Sequence, residues 1–207
     1  MDIIKHLRAE RVDIVEPDGM LRMSLYSSKH NPPLLMDGKD LLPGHRDGDG
    51  ASGIRFYNSE GDECGGMGFS SRKTEDGGYT STLHMAYDQY KNDQVVHVSL
   101  HEKNGERRYG YHIVDRPDEH LSETIKIRDA QRAASGDEER KEIEKGYRAK
   151  NPHRMFVGKE TDGTVAARIN DSKGRERIRM TLSPQGEPEI AILDENGNVV
   201  ASLPGEI

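Results

Sequence analysis

The chain carries a single cysteine, Cys64, among 207 residues. It therefore has no internal disulfide, which fits a reducing compartment, and a cytoplasmic protein is expected. No stretch approaches 18 consecutive apolar residues, and the N-terminus lacks the long apolar core of a signal peptide, so no membrane partner is expected. Basic charge is not in excess either. Thirty Lys and Arg stand against 37 Asp and Glu, a net charge of −7, which disfavours nucleic acid as a partner. Apolar residues are scarce, at 32%. Scattered at random, so small a share would read as disorder. These residues are regularly spaced, and a thin sheet with one wet face needs few of them. The usual catalytic loops are missing too. There is no Gly-x-Ser-x-Gly elbow, and Gly65-Gly66-Met67-Gly68 is not followed by the Lys-Ser/Thr of a phosphate-cradling loop.

What the chain does have is a beat of turns. Gly163, Gly174, Gly186 and Gly197 each close a turn and stand 11 to 12 residues apart, which leaves room for strands of about 6–8 residues. The segments between them are expected to be strands at Met155–Lys159, Val165–Ile169, Ile178–Leu182, Ile190–Leu193 and Val199–Leu203. Within the third, Ile178, Met180 and Leu182 alternate with Arg177, Arg179 and Thr181, the pattern of a half-buried strand.

The first half repeats this chemistry less evenly. A hairpin is expected at Val12–Val15 and Leu21–Leu25 around Glu16-Pro17-Asp18-Gly19, then strands at Ile54–Phe56, Cys64–Phe69, Leu83–Tyr87, Val96–Leu100 and Tyr109–Val114. Residues 2–10 read as a short helix with Ile3, Ile4 and Leu7 on one side. Residues 27–52, with Pro32, Pro33 and Pro43, read as a long irregular excursion with one extended piece at Leu34–Met36. After Asp115-Arg116-Pro117 the composition turns to Glu, Lys, Arg and Ala. Two helices are expected between 119 and 150, separated at Gly136, with Asp137 capping the second; a strand at Thr124–Ile127 is the alternative. The whole is expected to be one all-β domain over 1–207: a first meander at 9–115, a helical insertion at 119–150 and a second meander at 153–204. An antiparallel up-and-down meander of about 10–12 strands should not stay open with bare edges, so a barrel-like closure is expected, with propeller-like blades as the alternative.

Several strings carry a resemblance. Glu16-Pro17-Asp18-Gly19 with Leu21-Arg22-Met23, the run Phe56 to Gly66, Asp88-Gln89-Tyr90, Asp115-Arg116-Pro117, and Phe156-Val157-Gly158 through Asp194-Glu195-Asn196-Gly197 are similar to a family of uncharacterised bacterial hypothetical proteins. The resemblance covers most of the chain outside 27–52 and 119–150. It implies no activity, cofactor or site.

Two constellations could carry chemistry. His84, His97 and His112 fall on three successive strands and, with Asp88, share one face. Imidazoles with a carboxylate can ligate a divalent metal, and solvated residues on a polar face are the alternative. The turn centres place Ser99 opposite His84, and Ala86 and Gly110 opposite His97. The second constellation is Asp88, Gln89, Asp93, Gln94, Asp115 and Arg116, which gather at one sheet end if the strands run up and down. They form either a polar binding mouth or an Asp–Arg pin for the start of the helical segment. Asp47-Gly48-Asp49-Gly50 is similar to the start of a calcium loop but lacks its later acidic positions, and Cys64 reads as a small buried side chain rather than a nucleophile. The expectation is a non-catalytic module binding a small molecule or peptide, without a cofactor. The alternatives are a structural protein assembling with itself as a homo-oligomer, and a metal-dependent enzyme on the histidine face.

Overall fold

A computed structural model describes residues 4–204. Twelve antiparallel strands form one sheet, and two further short strands form a separate hairpin. In chain order these are β1 (Arg11–Val15), β2 (Leu21–Tyr26), the hairpin β3 (Leu35–Met36) and β4 (Lys39–Asp40), then β5 (Ser52–Tyr57), β6 (Glu63–Lys73), β7 (Tyr79–Asp88), β8 (Gln94–Lys103) and β9 (Glu106–Val114). Two helices follow, α1 (Leu121–Ala133) and α2 (Asp137–Lys150), and then β10 (His153–Lys159), β11 (Val165–Asn170), β12 (Glu176–Leu182), β13 (Pro188–Leu193) and β14 (Val199–Leu203). The strand order follows the chain, and β9 pairs with β10 across the helical insertion.

The meander and the insertion agree with the sequence pattern. Three expectations do not hold. The barrel-like closure is not found: among the described residues no ladder joins β1 to β14, and the sheet ends in two edges. No helix forms over residues 4–10, while residues 2 and 3 lie outside the described residues. Ile4 and Leu7 are 76% and 62% exposed, and so short a helix without a packing partner gains too little to nucleate. The second helix begins at Asp137, with Gly136 rather than Asp137 at the cap position. The alternative strand at 124–127 is likewise absent, because those residues are the middle of α1.

The two faces of the sheet differ sharply. Residues paired across a ladder share a face. One cross-strand row runs from Val12 on β1 through Leu25, Met67, Tyr111 and Met180 to Leu203 on β14, and every residue in it is apolar or tyrosine. The next row runs from Ile14 through Phe56, Tyr87 and Ile178 to Ala201, again with no charged residue. These side chains stay exposed: Phe56 at 45%, Met85 at 40%, Met180 at 47%, Ile192 at 49%.

The opposite face is polar, and its small residues are buried. Ser24, Ala86, Ser99, Ala166 and Ala191 are all 7% exposed or less. Long side chains lie among them. Arg108 and Arg168 meet Glu160, Arg168 and Arg179 meet Glu176, and Arg179 meets Glu189. Glycine is required where Gly110 and Gly158 face each other on β9 and β10. A Cβ on Gly158 would stand 2.1 Å from the Tyr109 carbonyl oxygen and 2.8 Å from the Phe156 ring. One end of the polar face is covered by the 27–52 excursion and the helices. They meet in a small apolar cluster, in which Met36, Leu121 and Ile125 are buried against Leu34, Leu41 and Leu42.

Candidate functional site

The histidines come together as expected, in a different register. Ser99 pairs with His84 and Ala86 with His97, but His97 lies opposite His112 and Gly110 opposite Ser99. The β8–β9 hairpin turns on Asn104 and Gly105, both with positive φ, one residue later than the spacing suggests. A turn of this kind fixes the pairing of the whole hairpin, and a shift of two keeps each side chain on its face. His84 and His97 stack with ring centroids 5.3 Å apart, and His97 and His112 with centroids 4.4 Å apart. His153 on β10 meets the His112 ring edge-on at 6.1 Å. Strand alternation alone does not place His153 beside them, because 38 residues of insertion and turn separate it from β9.

This ladder stacks ring faces rather than directing nitrogen lone pairs at a common point. Among the described residues no group of three or more His, Cys, Asp or Glu is placed to hold a metal ion. The nitrogens are partly spent on the protein itself: His84 Nε2 lies 2.9 Å from Gln94 Oε1, and His112 Nε2 lies 3.2 Å from Ser99 Oγ. Burial, with His112 and His84 as neighbours, pushes His97 down to about 3. Burial, Arg108 and His153 push His112 down to about 4. Burial also lowers His84 and His153, so at neutral pH the ladder is four uncharged imidazoles.

Asp88 lies at the end of β7, toward the covered end of this face. Burial, reinforced by the charges of Glu63 and Asp93, raises its carboxyl to about 8, so it is largely protonated at neutral pH. The folded pKa lies above the ordinary carboxylate value, hence the native state holds a proton that the unfolded chain releases. That contribution is fully present below about pH 4 and is lost as pH rises through about 8. Asp88→Asn, which does not titrate, should therefore raise the melting temperature relative to wild type more at pH 8.5 than at pH 5. Thermal melts at the two pH values check this, and an equal shift at both would contradict it.

The residues of the expected mouth do gather at one end, and most of their polar atoms are bonded within the chain. Arg116, with its side chain 7% exposed, donates from Nε to the Gln94 carbonyl at 2.8 Å, and from Nη1 to Tyr147 Oη at 2.8 Å and Asn151 Oδ1 at 3.1 Å. Its Nη2 lies 3.5 Å from Asp93 Oδ2, which also faces Arg128 at 3.4 Å. Gln89 Nε2 donates to the Pro117 carbonyl at 3.1 Å, and Asp115 pairs with Arg154 at 2.5 Å. Asn92, 3% exposed, donates to the carbonyls of Pro117 and Glu119, both at 2.8 Å. This is the hydrogen bonding of a dock: it holds the helical insertion onto the β7–β8 turn.

A second dock joins the excursion to the sheet. Arg46 in the excursion makes a bidentate pair with Glu63 at the start of β6, 2.8 Å at each contact, and donates to the Pro32 carbonyl at 2.7 Å. The sequence carries no signal for it, because Arg46 stands in an irregular segment with no period. In the same segment, Asp49 accepts from Asn31 Nδ2 and the Ala51 amide, both at 2.8 Å, as a turn carboxylate does. Cys64 is held above the ordinary thiol range by burial and by the charges of Asp88 and Glu63, the opposite of what a nucleophile needs.

A cleft of about 630 Å³ lies elsewhere, between α2 and the β11–β12 turn, and is lined by Lys145, Arg148, His153, Asn170 and Lys173 among others. No helix among the described residues is long and apolar enough to cross a membrane. A scan of protein-family models finds no match, and none of the curated proteins matches the chain.

Proposed function

We propose that this is a non-catalytic interaction protein whose working surface is the apolar face of the sheet. One observation carries the reading: two cross-strand rows without a charged residue run over all twelve strands and lie open. Exposed apolar patches on monomeric proteins are seldom larger than a few hundred Å², and larger ones mark interaction surfaces. The polar face speaks for scaffolding rather than chemistry. Its ionisable groups are mostly bonded to one another, its histidines are neutral and stacked, and its single thiol is protonated.

The test compares wild type with the double variant Met85→Lys/Met180→Lys, by sedimentation velocity and by bis-ANS fluorescence. Both methionines lie on the open face, so the variant should keep the far-UV circular dichroism of the wild type. The wild type is expected either to sediment as an assembly or to light the dye strongly, and the variant to do neither. A wild type that sediments as a single chain and leaves the dye dark has no working apolar face, and the reading then fails.

A further inference from the structure

We infer that the occupant of the apolar face is a second copy of this chain, laid face to face about a two-fold axis, so that two single-layer sheets form one two-layered sandwich. The inference rests on the reading of that face as the working surface and names its partner.

Surface area argues for it first. A folded monomer of 23.2 kDa is expected to expose about 9,700 Å². This chain exposes 13645 Å², about 4,000 Å² more than a monomer of its mass should. Stable homodimer interfaces bury about 2,000–5,000 Å² in total. With strands about 4.8 Å apart, the twelve-stranded face is roughly 53 Å wide, and three side-chain rows stand roughly 20 Å tall. Two such faces in contact bury about 2,000 Å², at the lower end of the homodimer range.

The location of the core argues the same way. The buried apolar cluster of the single chain joins the excursion to α1 and lies on the covered, polar side of the sheet. A sheet must bury its apolar face against another layer to be stable, and no element of the described residues lies on that face. A second sheet packs about 10 Å away, with its strands within about 30° of the first.

Shape and charge narrow the choice of occupant. Two rows free of charge across twelve strands meet their own copy without burying an unpaired ion or setting like charges together, and a two-fold contact requires only that the patch be self-complementary. A third row runs from Ser52 on β5 through Leu100 to Pro188 on β13, and in it Lys159 is paired with Tyr109 and Val165, at a strand end where its amine can reach water. The arginine and glutamate network stands on the opposite face, away from the contact. A single helix as partner would need about 35 residues to span the width, and a small ligand would cover only a corner. An anionic lipid surface attracts basic residues, and the net charge here is negative.

Sedimentation equilibrium on the full chain at micromolar concentration should give a mass of two chains for the wild type and one for Met85→Lys/Met180→Lys. Peroxide oxidation followed by mass spectrometry provides a readout that needs no variant. Met67, Met85 and Met180 are 38–47% exposed in one copy but should oxidise roughly ten-fold more slowly than free methionine once they lie between two sheets. A two-chain assembly whose face methionines oxidise as fast as free methionine pairs through another surface, such as the sheet edges, and overturns the inference. A single chain that lights the dye and floats with phosphatidylcholine–phosphatidylglycerol vesicles has a lipid occupant. That result also overturns the inference but leaves the face as the working surface. A single chain with a dark dye ends both readings.

Discussion

Replacing Arg46 with alanine should remove about 3–5 kcal/mol of unfolding free energy. The side chains of the pair are 13% and 7% exposed at Arg46 and Glu63, and the guanidinium bonds both carboxylate oxygens and the Pro32 carbonyl. Truncation leaves Glu63 buried without its closest partner, since Arg55 Nε stands 3.8 Å away. A buried pair adds little over a well-packed apolar replacement, but half a pair is strongly destabilising, because the remaining charge keeps its desolvation cost. The effect should also be local. Arg46 ties the 27–52 excursion to the sheet, so the variant should become open to proteolysis near residues 44–50 before the sheet unfolds. Urea unfolding measures the global loss, and limited digestion with peptide mapping places the local one. Arg46→Met with Glu63→Gln should recover part of the loss, because no unpaired carboxylate remains. A loss below about 1 kcal/mol for Arg46→Ala would class the pair with exposed salt bridges and refute its role as an anchor.

Gly158→Ala is the second large effect, at about 3 kcal/mol of destabilisation. The added Cβ would meet the Tyr109 carbonyl oxygen at 2.1 Å and the Gly110 Cα at 2.6 Å. Both are backbone and cannot rotate away. The Phe156 ring closes the third side at 2.8 Å and is itself held beneath the Arg108 guanidinium, 4.5 Å from the ring centroid. The same substitution at Gly146 should have the opposite sign. That glycine lies inside α2 with nothing within 4 Å of a new Cβ, so alanine should add about 0.5–1 kcal/mol through helix propensity. Chemical denaturation of the two variants side by side checks the contrast. A neutral Gly158→Ala would mean that β9 and β10 separate at no cost, against the geometry of the ladder.

Much of the fold was legible in the sequence because its signals are local. Ile178, Met180 and Leu182 alternate with Arg177, Arg179 and Thr181, and alternation of that kind is a property of one strand that needs no partner to read. Gly163, Gly174, Gly186 and Gly197 all take positive φ and close their turns where the spacing predicts, since left-handed backbone is cheap only for glycine. The insertion was legible for the same reason, apart from the one-residue shift of its second cap.

The sites were less legible. His84, His97 and His112 could be assigned to one face from alternation alone, but their stacking depends on where the β8–β9 turn sits, and that is a one-residue matter. His153 joins them only because β10 returns to β9 after the helices. Asp88, Gln89, Asp93, Gln94, Asp115 and Arg116 were expected together, and they are, but whether such groups face a ligand or each other is set by what packs over them. Tyr147 and Asn151, which take up Arg116, lie more than 30 residues further along the chain.

The sequence by itself determined the strands, the turns and the division of the sheet into an apolar and a polar side, because backbone preference and side-chain alternation act over a few residues. Only the tertiary structure decided that the sheet stays open, that the excursion and the helices cover the polar side, and that the apolar side is left bare. Those are outcomes of burial, which depends on segments distant in sequence meeting in space, and a period of two carries no information about what will lie on top of it.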